Sequence, residues 1–428
     1  MKVLLINKFL YPKGGDAICT LAMGELLRSK GHEVTYWGMD HPENPEYPYK
    51  DLFVSHMDYE GAGGGGALKA AANILYSFEA KKKIAELLKH IRPDIVHLHN
   101  FAHQISPSIL DVLRREWIPC VMTMHDYKLV CAAYTLLSHG KVCERCSGGR
   151  YYQCFSQGCV KDSKAKSLIN TIEMYLHHSI LHIYDSINTF ISPSAFLKNK
   201  LAEMGFKKPI MHVPNFVYAS DFVPAYDGEK RTIVYFGRLA KEKGISTLID
   251  AIKGLDVRLK IIGEGPIGKE VKAKVEVEKI NNVEFLGYRM GKELQNEIRN
   301  AMFVVIPSEW YENNPLSILE SFALGKPVIG SRIGGIPELV ESPAHARADE
   351  TLQTALSLGV KDGETGLLFE PGNVADLRAK IEYLLANPDK AIEMGRNARK
   401  LVEEEYNAEK HYSRLMEIYE QAISLGHR

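Results

Sequence analysis

The sequence predicts an α/β protein of two facing Rossmann-like domains with a cleft between them, and three observations carry that prediction. The chain has 428 residues, more than a single hydrophobic core usually serves. Short β-rich apolar runs alternate with longer amphipathic stretches almost throughout, as βαβ units around parallel sheets require. The alternation comes in two series, parted by a stretch containing Pro214, Asn215 and Pro224.

Strands of the first series are expected at Val3–Ile6, Glu33–Trp37, Ile95–His99, Cys120–Met124, Thr189–Ile191 and Ile210–Val213. The helix after the first strand stops at Gly31, placed as a C-terminal cap. The second series has strands at Thr232–Phe236, Arg258–Ile262, Val283–Leu286, Phe303–Ile306 and Val328–Gly330. Residues 1–215 therefore form a first domain and 216–405 a second. Breaks near Pro388 and Asn407 divide the tail into helices, and the last, 406–428, is free to pack back on the first domain.

Three segments break the pattern. The glycine-rich run 61–66 has no strand directly before it, so a mobile surface loop is preferred to a phosphate-binding one. Residues 126–163 form a long insertion of little periodicity, and such lengths inside a domain are usually functional or tied by metal. Residues 342–360 interrupt a helix-to-strand connection and read as a tolerated surface insertion.

Fifty-three basic residues balance fifty-three acidic ones, so no overall field holds the chain on nucleic acid or an anionic bilayer. The apolar run at Val3–Ile6 is too short for a signal-peptide core and no stretch approaches a membrane span, which reads as cytoplasmic. Cysteines in that compartment point away from structural disulfides. Five of them crowd between Cys131 and Cys159. Cys143-x2-Cys146 followed by Cys154-x4-Cys159 fits a structural four-thiolate zinc site, with Cys131 as the alternative ligand. Unligated thiols or an iron–sulfur cluster are the competing readings.

The chemistry-bearing signal is Glu312 and Glu320, set just after the strand ending at Ile306. A helix starting near Leu316 leaves backbone N–H groups of Asn313 to Leu316 facing the crevice at the strand ends, where anions and nucleotides bind. Carboxylates would repel a phosphate but suit a vicinal diol, whose two hydroxyls one fork can accept. Arg238 and Lys243 follow the strand Thr232–Phe236 and could clamp one anionic ligand such as a diphosphate. Gly263-Glu-Gly265, Leu286-Gly287-Tyr288 and Gly334-Gly335-Ile-Pro-Glu338 leave backbone exposed at the same sheet edge.

This ordered set, from Lys13-Gly14-Gly15 through Gly363-Glu-Thr-Gly366, resembles glycosyltransferase family 4, the retaining enzymes of the GT-B fold. The resemblance spans almost the whole chain. It implies that Glu312 faces the donor sugar, Glu320 holds the ribose, and Arg238 and Lys243 hold the diphosphate. Tyr288 lies near the base, and Gly14 and Gly15 approach the diphosphate from the first domain. Gly265, Asn313, Asn314 and Leu316 complete the donor wall, although Asn313-Asn314 stand where Gly and Phe are frequent in the family.

A lone histidine is more often structural; the resemblance favours a role for His125 beside the transferred sugar, with His99 and Asn100 on the acceptor side. His97 reads as core. No Asp-x-Asp occurs, so the leaving-group charge is expected to be met without a divalent metal and without any cofactor for the chemistry itself. The partners implied are a UDP- or GDP-type sugar donor and a glycan or lipid-linked acceptor. Lys161, Lys164 and Lys166 fit either peripheral contact with the inner face of a membrane or a solvated surface. The competing functions are a nucleotide-sugar epimerase and a non-catalytic nucleotide-sugar-binding protein; a dehydrogenase is disfavoured because no Gly-x-Gly-x-x-Gly follows an expected strand.

Overall fold

The computed structural model describes residues 1–56, 71–340 and 364–426; the glycine-rich run 61–66, the insertion 342–360 and Gly363 lie outside the described residues. In chain order the strands are β1 (Lys2–Ile6), β2 (Glu33–Trp37), β3 (Ile95–Leu98), β4 (Cys120–Thr123), β5 (Leu137–Ser138), β6 (Lys141–Val142), β7 (Thr189–Ser192) and β8 (Ile210–His212). The second half adds β9 (Thr232–Phe236), β10 (Arg258–Ile262), β11 (Val283–Gly287), β12 (Phe303–Ile306), β13 (Val328–Ser331) and β14 (Gly366–Phe369). β5 and β6 make a small antiparallel hairpin, while all other pairings are parallel.

Two six-stranded sheets result, ordered β2-β1-β3-β4-β7-β8 and β11-β10-β9-β12-β13-β14. Every residue of β3, β4, β7, β9, β12, β13 and β14 is buried. Sheets covered on both faces need such continuous apolar runs, which is why the strands stood out in the sequence. In the second sheet the chain leaves β9 toward β10 and β11, then returns to lay β12 on the other side of β9. That reversal opens a crevice at the carboxyl ends of β9 and β12, and the same reversal occurs between β1 and β3.

The insertion after β4 departs from the aperiodic loop expected. It folds into the β5–β6 hairpin and a helix, Tyr152–Gln157. Tyr127, Leu129, Val130, Leu136 and Tyr151 join the core of the first half. These residues follow no single period, so no pattern announced their burial.

The chain crosses between halves twice. After the helices Val374–Ala386 and Pro388–Glu404, the helix Ala408–Gly426 returns to the first half, where Leu415, Ile418, Tyr419 and Ala422 are part of the core. The Tyr419 hydroxyl and His97 Nδ1 lie 2.7 Å apart. At the crossings themselves, Val217 N–H donates to Tyr406 O at 3.0 Å.

Candidate active site

Arg238 and Lys243 are carried by the segment after β9, and Glu312 by the segment after β12, so the two strands flanking the crevice supply all three. Glu312 is 6% exposed. Its Oε1 accepts hydrogen bonds from Lys243 Nζ and Ser308 Oγ, each at 2.6 Å. Burial pushes the Glu312 carboxyl up, but the Lys243 charge with the Lys243 and Ser308 hydrogen bonds outweighs it and holds the group below the usual carboxylate range. Lys243 also sits 5.1 Å from the Trp310 ring centroid. Arg238 is exposed and belongs to none of the ion pairs found among the described residues.

The loop that carries Glu312 is shaped by the glycine pair in contact with it. Gly334 has φ 63°, and a Cβ there would stand 2.4 Å from Glu312 O; one on Gly335 would stand 1.8 Å from Asn313 O. Only glycine admits that approach, and it lets Gly335 N–H donate to Glu312 O at 2.8 Å. The same economy applies at Gly265, where a Cβ would stand 2.4 Å from Leu239 O. Tyr288, after the edge strand β11, is 58% exposed.

Glu320 lies on the helix Leu316–Ala323 and faces a different space. Together with Ile18, Cys19, His99, Thr123, His125, Asn215, Leu316 and His411, it lines a cavity of about 140 Å³ shared by both halves. No ion pair among the described residues involves Glu320, and burial pushes its carboxyl up to about 7. Gly14 precedes the helix Gly15–Ser29 that forms the opposite wall, and no side chain caps that helix start.

His125 follows β4 and lies 2.9 Å from His99, Nε2 to Nδ1. The rings of His97, His99 and His125 stack in succession, with centroids 4.4 and 5.2 Å apart. Burial lowers all three, His97 to about 3, so they are neutral imidazoles near pH 7. His99 Nε2 and His411 Nε2 are buried without a hydrogen-bond partner on residues that line this cavity, places where a polar ligand atom would be favourable. Asn100 instead spends its backbone on the end of β1, receiving from Lys8 N–H at 2.9 Å and donating to Asn7 Oδ1 at 3.0 Å.

Asn313 and Asn314, expected on the donor wall, point their side chains at the first half. Asn313 Nδ2 donates to Met124 O at 3.1 Å, and its Oδ1 accepts from Ser194 Oγ at 2.7 Å. Asn314 Oδ1 accepts from Asn215 N–H at 3.2 Å. Glu338 accepts from the N–H groups of Ala195 and Phe196, which open the helix Ala195–Glu203. Ser194, Cys19 and His411 carried no signal in the sequence, because each acquires its place only through the packing of distant segments; Ser308, four residues before Glu312, meets it within one loop.

The clustered cysteines lie in the insertion after β4. Among the described residues no group of three or more His, Cys, Asp or Glu is arranged to hold a metal ion. Cys131 lies against Cys146 and Cys154 against Cys159, and the two pairs are near enough to act on each other electrostatically. Cys143, expected as a ligand, belongs to neither pair, and Cys131, held in reserve, belongs to one. Cys143, just after the β5–β6 hairpin, is half-buried, while Cys146 is buried.

Two family profiles match the chain: one described as Glycosyltransferase Family 4 over residues 13–220, the other as Glycosyl transferases group 1 over 230–387. An uncharacterized glycosyltransferase of Methanocaldococcus jannaschii is 23% identical over 425 residues, covering 98% of each chain. Among solved structures, the sucrose-phosphate synthase of Thermosynechococcus elongatus superposes with a TM-score of 0.71 at 19% identity, covering 99% of both chains. A protein of Anabaena in complex with UDP superposes at 0.66 and 16% identity, covering 98% of this chain and all of the other.

Proposed function

The chain belongs to glycosyltransferase family 4 and transfers a sugar, and from that premise we propose that it is a retaining, metal-independent enzyme using a nucleotide-diphosphate sugar. The supporting observation is the β9–β12 crevice, where an exposed Arg238 stands on the same short segment as a Lys243 already paired with buried Glu312. The arrangement offers positive charge for a departing diphosphate and a fixed carboxylate for sugar hydroxyls. Glu320, across the shared cavity, suits the ribose; His125, neutral, suits the edge of the transferred sugar. The Anabaena neighbour's UDP favours trying uridine donors first, with guanosine donors beside them. Both matching profiles describe transferases, so nothing favours the epimerase reading.

A panel of nucleotide sugars scored by thermal protection tests the donor class. Product stereochemistry by NMR should show the donor's anomeric configuration kept. Activity should also survive brief EDTA, since no Asp-x-Asp is present to bind a divalent ion with the sugar diphosphate. An inverted product overturns the retaining assignment, and immediate loss that magnesium or manganese restores overturns metal independence.

The acceptor we propose is a glycan or lipid-linked chain reached at a membrane surface. No helix among the described residues is long and apolar enough to cross a bilayer. The helix Lys164–Tyr175, however, turns Leu168 and Ile172 to solvent beside exposed Tyr152 and Phe155. Lys161, Lys164 and Lys166 stand at one end of this ridge and are exposed. An apolar ridge with cations at its margin suits an anionic interface. The protein should sediment with phosphatidylglycerol vesicles, less with neutral ones, and Leu168→Asp with Ile172→Asp should abolish it; equal recovery without vesicles overturns the contact.

A further inference from the structure

Asn313 is one of the side chains that join the segments carrying Glu312 and His125. Covalently it follows Glu312; through its Nδ2 it binds the carbonyl of Met124, the residue before His125. Glu312 and His125 are thus connected across the interface by one amide and a few bonds. The orientation of that amide is fixed chemically, because Met124 O can only accept and Nδ2 can only donate. Its other end is fixed by Ser194, whose hydroxyl serves Asn313 Oδ1 at 2.7 Å and also accepts from Leu197 N–H at 3.0 Å.

The neighbouring Tyr311, and Glu338 beyond the glycine pair, make further contacts to the first half. Tyr127 OH donates to Tyr311 O at 3.2 Å, and Tyr311 OH donates to Glu144 at 2.7 Å. Glu338 reaches the helix start next to Ser194, with Ala195 N–H at 2.9 Å. Those contacts hold the halves together, but only Asn313 bonds the backbone adjoining His125. We propose that Asn313 is a positioning residue that sets the spacing of Glu312 and His125 when the halves close on the donor. The proposal rests on the transferase reading. A displacement of about 1 Å between reacting groups can cost about 10²-fold in rate, so this link acts mainly on turnover, since its side chain points away from the groups assigned to the nucleotide.

Asn313→Asp places a carboxylate oxygen against Met124 O, turning attraction into repulsion at constant size; Asn313→Ala removes both bonds. UDP and GDP binding by calorimetry, small-angle scattering with and without the nucleotide, thermal midpoint, and turnover at saturating donor are measured for each. The expected result for Asn313→Asp is nucleotide affinity within about threefold of native, a larger radius of gyration with nucleotide bound, and turnover lower by about 10- to 100-fold. Asn313→Ala should lie between it and native, and it reads the same quantities if the Asp variant does not fold. Native turnover with native scattering in both variants overturns the proposal. So does loss of nucleotide binding and thermal midpoint in step with turnover, which is the pattern of a purely structural residue. Failure of the native protein to transfer any sugar sinks the transferase reading separately, and is read on the native protein alone.

Discussion

Arg238→Ala and Lys243→Ala are both expected to lower turnover by about 10²-fold or more, the usual cost of losing one preorganised donor aimed at developing charge. Only the second is expected to weaken the fold. Arg238 is exposed and unpaired in ion contacts among the described residues, so its removal leaves nothing stranded. Lys243 is the counter-charge of a Glu312 side chain only 8% exposed. Without it a buried carboxylate keeps the Ser308 hydroxyl and little else, a change that costs about 3 kcal/mol. The sign with pH follows from the direction of the Glu312 shift. A carboxyl held below its ordinary value contributes stability that is present above that value and lost as pH falls through the depressed one. The gap between native and Lys243→Ala should therefore be widest at neutral pH and close in acid. Denaturant unfolding at several pH values, with initial rates for both variants, measures this. Near-normal turnover of Arg238→Ala, or native stability of Lys243→Ala at pH 7, contradicts the assignment.

Glu312→Gln and Glu320→Gln should separate in kinetics. As the anomeric bond breaks the sugar gains positive character, so a carboxylate facing the sugar matters most in the transition state, and Glu312→Gln should lower turnover by about 10²-fold. Ribose does not change during transfer, so Glu320→Gln should mainly raise the donor KM. The Glu320 carboxyl adds a pH signature, because burial pushes it up to about 7. Of the groups sharing its cavity, the Cys19 thiol is pushed up and His99, His125 and His411 are all lowered by burial, and Asp221 is the other carboxyl on its wall. A carboxyl raised in the folded state favours folding below its ordinary value, and that contribution is lost as pH rises through about 7. Glu320→Gln should then raise the melting temperature at pH 8 and leave it unchanged at pH 5. Ribose hydroxyls donate best to the ionised form, so native donor affinity should rise from pH 6 to pH 8 and that of Glu320→Gln should not. A variant with native KM, or with equal thermal shifts at both pH values, removes Glu320 from the ribose.

The α/β architecture was legible because fully buried parallel strands read as unbroken apolar runs, and β9, β10 and β12 coincide with their expected limits. β14 escaped notice since it begins at Gly366 directly after an inserted segment. Glu312 and Lys243 were each visible beside a strand end, yet their pairing, 69 residues apart in sequence, was not. The sugar-facing carboxylate and the phosphate-facing ammonium are therefore one hydrogen-bonded unit, and the ammonium keeps the carboxyl ionised. The Asn313 and Asn314 contacts were hidden for the same reason, because a pattern along one half carries no information about the surface it will meet. Cysteine spacing announced a cluster, but the association of Cys131 with Cys146 comes from packing across the hairpin and is not visible in the spacing.

The returning helix Ala408–Gly426 has a consequence for biosynthesis. Leu415, Ile418, Tyr419 and Ala422 are core residues of the half that begins at Met1, and Tyr419 is the partner of His97, 322 positions earlier. A ribosome delivers them only after the second half. The first sheet must wait, with the apolar surface destined for that helix uncovered, until the whole of the second half has been made. Nascent first halves are thus the aggregation-exposed species, and the second half, whose strands β9 to β14 are contiguous in the chain, is the part able to finish early.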